Sequence, residues 1–442
     1  MRFGTDGVRG LANRDLTVED AVSIGRAAAV VLGGPRIVIG RDTRRSSTML
    51  EAALAAGISS AGVDVVLLGV APTPAVASVS RRFSMAGAMV SASHNPFADN
   101  GIKLFGPGGS KLSDATQASL EAAFAPSGSE PPVGAAVGVI DAAGDDLLHG
   151  YLDELHESLQ GRSLSGLHVV LDCANGAAAG LARTVFERAG ARVVVIGDAP
   201  DGVNINVACG STHPAGLADA VRTQHADVGF AFDGDADRLI AVAADGAIVD
   251  GDELIGISAL DRAAHGRLAG NAVVVTVMSN LGLRRGMAAA GIELVETPVG
   301  DRYVLEALAT RSLSLGGEQS GHIIHADLST TGDGMLAALQ TADVMVRSGR
   351  PLSELAASAM TRLPQVLHNV AVASRPDDLG DQLALLDAAA AAELGSDGRV
   401  LIRASGTEPV VRVMVEAVDI VAAEQIAERL TAAVAALVGP DD

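Results

Sequence analysis

Residues 36–68 read RIVIGRDTRRSSTMLEAALAAGISSAGVDVVLL. This is a β-branched run, an Ala- and Leu-rich stretch at helical spacing, and a second β-branched run. Strands are predicted at Arg36–Gly40 and Val63–Leu68 and a helix at Thr48–Ala61 between them, the pattern of a βαβ unit with parallel strands. The same texture continues outward. Further strands are predicted at Gly87–Ser91, Leu167–Asp172, Arg192–Ile196, Asp227–Phe232, Leu239–Ala243, Ala272–Val277, Ile292–Glu296 and Gly321–His325, with helical stretches such as Ala215–Gln224 between many of them. The fold class is therefore α/β.

Three zones interrupt the pattern. Ala125–Gly138 is rich in Pro, Gly, Ser and Ala and reads as a loop or linker. Asp245–Asp252 holds two Asp-Gly pairs in an acidic turn, and Gly349–Pro351 with Leu363–Pro364 precede a change of texture. After about residue 366 the order becomes strand (Asn369–Val372), helices, strand (Arg399–Ile402), strand (Val410–Glu416) and helix (Ala422–Val438), a small α+β module of ~75 residues.

Composition narrows the function classes. At roughly 100–200 residues per domain, 442 residues suggest two to four domains. Hydrophobic residues make up 48% and aromatics only 2%, so the cores must be Ala, Val, Leu and Ile, which suits helices on buried parallel strands. The net charge of −21 repels nucleic acid and anionic membranes, and both are excluded as partners. A phosphorylated substrate would need local arginines to overcome that field. Cys173 and Cys209 lie outside any C-x-x-C pair, and two cysteines make no disulfide framework in so long a chain, so a reducing, cytoplasmic compartment is expected. No apolar run is long enough for a membrane span, and the N-terminal residues lack an apolar signal region.

Four motifs carry chemistry. Ser93, in Val90-Ser-Ala-Ser-His-Asn-Pro96, ends a predicted strand on a turn, where loops of open α/β sheets line a ligand crevice. It reads either as a nucleophile or as a turn serine bonding its own backbone. No G-x-S-x-G surrounds it, which argues against an α/β-hydrolase. The adjacent His94 is expected to point away, because neighbouring side chains diverge. Asp233-Gly-Asp235-Ala-Asp237 puts three carboxylates within five residues after an apolar strand. Either it is a solvated acidic turn, or a hard cation such as Mg²⁺ or Ca²⁺ sits among the oxygens. An EF-hand is excluded, since its sixth and twelfth loop positions here are Arg238 and Ala244. Glu318 and Ser320, in a glycine-flanked loop, are suited to sugar hydroxyls, although taken alone the loop reads better as an ordinary turn. Arg403-Ala-Ser405-Gly406-Thr407, followed by Arg412, offers hydroxyls, backbone N–H groups and guanidiniums, a nest for a phosphate.

These four motifs, in this order, resemble the α-D-phosphohexomutase superfamily over the whole chain. Phe3-Gly-Thr-Asp-Gly-Val-Arg9-Gly, Ser91-Ala-Ser-His-Asn-Pro-Phe97, Asn206 through Cys209-Gly-Ser-Thr-His-Pro214, Val299-Gly-Asp-Arg-Tyr303 and Gly317-Glu-Gln-Ser-Gly-His322 look like its bacterial branch acting on glucosamine phosphates. The resemblance implies three related mixed α/β domains (1–150, 151–250 and 251–365) and a smaller C-terminal phosphate-binding domain (366–442) around a central cleft. It implies interconversion of glucosamine 6-phosphate and glucosamine 1-phosphate through a 1,6-bisphosphate, feeding cell-wall precursor synthesis.

By position, Ser93 would be the phosphoserine, and Asp233, Asp235 and Asp237 would hold one Mg²⁺ with a phosphoserine oxygen. Glu318 and Ser320 would bind sugar hydroxyls. Arg403, Ser405, Gly406, Thr407 and Arg412 would grip the phosphate that is not reacting, while Arg9 and Lys103 line the reacting one. A homodimer is also implied. One departure stands out. Phosphomannomutase-like relatives carry Gly-His where this chain reads Gly300-Asp301, which leaves Lys103, His94 and Asp301 as candidates for the general acid or base. The same chemistry on a 2-hydroxyl sugar, or a non-catalytic sugar-phosphate sensor, remains the alternative.

Overall fold

The structure is a computed structural model that describes residues 4, 7–124, 130–142, 144–372, 378–404 and 410–439. It divides into two compact units, residues 1–278 with 292–358, and residues 279–291 with 359–442.

The first unit carries three sheets, each a parallel core with antiparallel additions. The first has the order Val8–Leu11, Asp99–Phe105, Ala86–Val90, Arg36–Arg41, Asp64–Val70, Ile140–Asp141. Its last four strands are parallel, as the βαβ texture predicts. Val8–Leu11 and Asp99–Phe105 run antiparallel and were not predicted, because Asp99-Asn-Gly-Ile-Lys-Leu-Phe has neither a β-branched run nor a clean alternation. The second sheet has the order Ile248–Val249, Leu239–Ala243, Val228–Phe232, His168–Asp172, Arg192–Ile196, and the third Glu293–Thr297, Ala272–Thr276, Leu315–Gly317, Ile323–His325. The strands predicted in this unit lie within two residues of those observed, Gly321 turning at φ 92° so that the last begins at Ile323. The short strands Ile140–Asp141, Ile248–Val249 and Leu315–Gly317 were not predicted, and in the second unit the strand predicted at Asn369–Val372 runs from Gln365 to Ala371.

Small residues explain how so aromatic-poor a chain packs. Helices Val18–Leu32 and Arg45–Ser60 cover the first sheet with Ala21, Ile24, Ala28, Leu50, Leu54 and Ile58. A Cβ on Gly25 would overlap the carbonyl oxygen of Leu54, so the two helix backbones touch there and only glycine fits. Thr17 starts the first of these helices with a reciprocal cap involving Asp20. The zone Asp245–Asp252 proves to be a turn, a short strand and a helix start. Asp250 caps helix Gly251–Ala264, its side chain accepting from the backbones of Asp252 and Glu253. In the loop zone 125–138, residues 130–138 hold one short helical turn, Gly134–Ala136.

The second unit is an antiparallel sheet of order Gln365–Ala371, Val410–Ala417, Gly398–Ala404, with helices Leu379–Leu394 and Ile420–Val438. Helix Leu281–Ala289 also belongs here, tied by Asn280 Nδ2 donating to Leu363 O at 3.0 Å and by Leu281 N donating to buried Glu416 at 2.9 Å. The cysteines are free thiols, and burial pushes the Cys173 thiol pKa up. No helix among the described residues is long and apolar enough to cross a membrane.

Candidate active site

Parallel strands deliver their following loops to one side, and here the loops of all three sheets of the first unit meet. Asp42 follows strand Arg36–Arg41, Thr73 follows Asp64–Val70, Ser93 follows Ala86–Val90, Asp233 follows Val228–Phe232 and Glu318 follows Leu315–Gly317. Ser93 is buried and sits in the left-handed region at φ 53°. Its Oγ donates to Asp233 Oδ2, across from the second sheet. His94 does not point away as expected, for its Nδ1 lies 3.3 Å from Ser93 Oγ. The positive φ at Ser93 brings the two neighbouring side chains to the same side.

The three aspartates are buried and present one oxygen each within 4.8 Å of one another. Ala236, at φ 56°, bends the chain back so that they converge. Lys103 Nζ donates to Asp235 Oδ2 at 2.7 Å and to Asp237 Oδ2 at 3.2 Å, and Thr73 Oγ1 donates to Asp235 Oδ2 at 2.6 Å. Arg238 Nε stands 3.9 Å from Asp237 Oδ1. Even so, Asp235 Oδ1 and Asp237 Oδ1 are buried with no hydrogen-bond partner. Three buried carboxylates, two of them with an oxygen that accepts no hydrogen bond, fit a divalent cation by their hard donor atoms. The cluster could hold a metal ion by its donor set.

Electrostatics divide the three unequally. Burial, then Asp237 and Asp235, push the Asp233 carboxyl well above the usual range. Burial also acts on Asp237, but Lys103 and then His322 outweigh it and hold that carboxyl well down. For Asp235, burial and Asp237 raise and Lys103 lowers, with a net shift downward. For His94, burial, reinforced by Arg238 and Arg9, lowers the pKa to about 4.

The other residues singled out in the sequence fall as follows. Arg9 lies on the strand opposite Gly101, two residues from Lys103. Glu318 Oε1 accepts from Gly300 N at 3.0 Å, and Ser320 is exposed on the same turn. That turn is pinned by Leu239 N donating to Gly321 O at 2.9 Å and Gly251 N to Gln319 O at 3.1 Å. Asp301 is buried, ion-paired with Lys111, and 3.4 Å from His322 Nε2, while His322 Nδ1 is 3.6 Å from Asp237 Oδ1. In the second unit, Arg403 and Arg412 face each other in register on adjacent antiparallel strands. Burial, and then Arg412, lower the Arg403 pKa. Like charges directly opposite are unfavourable, which is the condition an anion relieves. Ser405, Gly406 and Thr407 lie outside the described residues.

Sequence reading missed Asp42, Arg44, Thr73 and Asn206's contacts. The run Arg41-Asp-Thr-Arg-Arg-Ser-Ser47 holds only ordinary polar residues, and nothing in it shows that Arg44 is fully buried.

The fold and these loops define a phosphoryl-transfer scaffold, and comparison with known proteins says which. Four family models match in chain order, covering nearly its whole length: phosphoglucomutase/phosphomannomutase alpha/beta/alpha domain I (residues 1–130), domain II (149–246), domain III (250–363) and the C-terminal domain (356–433). The chain belongs to the phosphoglucomutase/phosphomannomutase family. Within it, the chain is 51% identical over 445 residues to the phosphoglucosamine mutase of Rhodococcus opacus (strain B4), covering 98% of this chain and 99% of that one. It is 52% identical over 432 residues to the phosphoglucosamine mutase of Desulforudis audaxviator (strain MP104C), covering 94% and 93%. A crystal structure of a phosphoglucomutase/phosphomannomutase family protein from Burkholderia thailandensis superposes with a TM-score of 0.83 at 26% identity, covering 100% of this chain and 98% of that one.

Proposed function

We propose that this chain interconverts glucosamine 6-phosphate and glucosamine 1-phosphate, an intramolecular phosphotransfer in which Ser93 carries the phosphoryl group. The observation that carries the reading is Ser93 Oγ bonded to Asp233 beside two more buried carboxylates with unpartnered oxygens. Near-full-length likeness to phosphoglucosamine mutases supplies the substrate class.

In this reading Ser93 rests as a phosphoserine and donates to O1 or O6 of the monophosphate. The resulting 1,6-bisphosphate turns around and returns its other phosphate to Ser93. Glucosamine or glucose 1,6-bisphosphate acts as activator. Asp233, Asp235 and Asp237 with Ser93 would hold one Mg²⁺, which when bound neutralises charge on the transferring group. Lys103 and Arg9 bind the reacting phosphate. Glu318 and Ser320 orient the sugar through its hydroxyls. Arg403, Ser405, Gly406, Thr407 and Arg412 grip the distal phosphate. Lys103, His94 and Asp301 are the groups proposed to move the proton at the attacking and leaving hydroxyl. The division into domains 1–150, 151–250, 251–365 and 366–442, a homodimer and a cytoplasmic location belong to the same reading.

The test is turnover of glucosamine 6-phosphate, with and without added bisphosphate, beside glucose 6-phosphate and mannose 6-phosphate. The amino sugar is expected to react fastest, and Ser93→Ala is expected to lose activity by several orders of magnitude while remaining folded. An active Ser93→Ala, or a faster rate on either 2-hydroxyl sugar, would overturn the assignment.

A further inference from the structure

The motif at Asn206 is not used by the reaction above, yet its side chain reaches the turn that carries Ser93. Asn206 Nδ2 donates to Ser93 O at 2.9 Å and to Asn95 O at 3.1 Å. From the other side, Arg44 Nη2 donates to the same two carbonyls, at 3.1 and 2.6 Å. One nitrogen from each side chain thus bridges both ends of the turn. Arg44 is itself fixed. It pairs with buried Asp42, which accepts from Ser47 Oγ at 2.6 Å and Ser91 Oγ at 2.6 Å, and Ser91 Oγ accepts from Ser93 N at 2.9 Å.

The geometry points to Asn206 as a positioning residue for phosphoryl transfer, acting with Arg44 to hold the Ser93 turn against the segment that carries the aspartates; this rests on Ser93 being the phosphoryl carrier. Arg44 and Ser93 belong to the first sheet's loops. Asn206 and Asp233 belong to different loops of the second, and Asn206 N donates to Ala174 O at 2.9 Å, in the loop that follows strand His168–Asp172 of the same sheet. Asn206 is therefore a tie between the nucleophile's loop and the second sheet's strand-end loops, beside the one its oxygen must meet. The approach is close enough that a Cβ on Gly234 would sit 2.5 Å from Ser93 O and 3.1 Å from Asn206 Nδ2. Reactive atoms on separate loops need such ties, because a misplacement of about 1 Å costs on the order of 100-fold in rate.

Asn206 has φ 60°, so a purely local account would be that asparagine is there to tolerate the left-handed region. Glycine tolerates it equally but donates nothing from a side chain, which separates the two accounts. Asn206→Gly is expected to lower kcat about 10- to 100-fold, with KM within about threefold and the melting temperature nearly unchanged. Asn206→Asp keeps the shape and the backbone tolerance but turns an acceptor toward two carbonyls, and is expected to lose at least as much kcat. The inference is overturned if Asn206→Gly keeps kcat within about twofold of the parent, or if Asn206→Asp restores what glycine loses. An inactive Ser93→Ala beside a fully active Asn206→Gly would remove the tie and leave the phosphoserine; an active Ser93→Ala would remove both.

Discussion

Lys103→Met tests the electrostatic logic of the site most directly. One ammonium bonds two carboxylates, and all three side chains are buried, with exposures of 7% for Lys103, 0% for Asp235 and 8% for Asp237. Solvent therefore screens little of the interaction. Methionine keeps the length of the stem and removes the charge, leaving three buried carboxylates facing one another. Breaking a buried pair in this way costs about 3–5 kcal/mol, which in metal-free buffer is several degrees of melting temperature.

A divalent cation and Lys103 neutralise the same cluster, so removing the lysine should tighten cation binding. Ligand at 100-fold its Kd returns about 2.7 kcal/mol. The assay is thermal unfolding of parent and variant in EDTA and over a Mg²⁺ titration. The variant is expected to melt lower in EDTA and to gain more from Mg²⁺ than the parent does. A loss under about 1 kcal/mol in EDTA, the scale of an exposed pair, or a Mg²⁺ gain no larger than the parent's, would refute the reading of a charge-starved metal cluster.

Two further outcomes follow from the structure. Arg403→Ala should raise KM for the sugar phosphate while leaving stability equal or up to about 1 kcal/mol higher, because the cross-strand like-charge pair with Arg412 is relieved; unchanged KM would remove the phosphate grip. Burial raises the Asp333 carboxyl to about 6 from 3.8, against hydrogen bonds from Leu336 N and Tyr151. The unfolded chain then releases that proton first, so this group lowers stability as pH rises from about 4 to about 6. Asp333→Asn, which can still accept from Leu336 N, should therefore be the more stable protein at neutral pH, by up to ~3 kcal/mol, with the margin vanishing below about pH 4. Parallel stability curves for the two proteins would contradict this.

Much was legible in the chain alone. Alternating β-branched and Ala-rich runs specify local structure through side-chain stiffness and periodicity, so strands such as Arg192–Ile196 and Leu239–Ala243 and helix Ala215–Gln224 are found at their predicted bounds. The aspartate triplet and the Ser93 turn were equally visible, because both are short-range patterns of chemistry at a strand end. The strands Val8–Leu11 and Asp99–Phe105 were not. Their residues are chosen by the neighbours they pair with, Arg9 facing Gly101 and Met89 facing Lys103, rather than by any propensity of their own.

Tertiary structure alone decided who meets whom. Ser93 and Asp233 are 140 positions apart, Lys103 and Asp235 are 132, and Asn206 and Ser93 are 113. At such separations no periodicity links the partners. Burial then changes what each can do, since desolvation and its two carboxylate neighbours raise Asp233, while Lys103 brings Asp235 and Asp237 down. The sequence by itself determined which groups are present and which loops carry them. Only the packing of the three sheets of the first unit, which brings their strand ends together away from water, determined that an ordinary arginine at position 44 and an asparagine at 206 would close on the same turn.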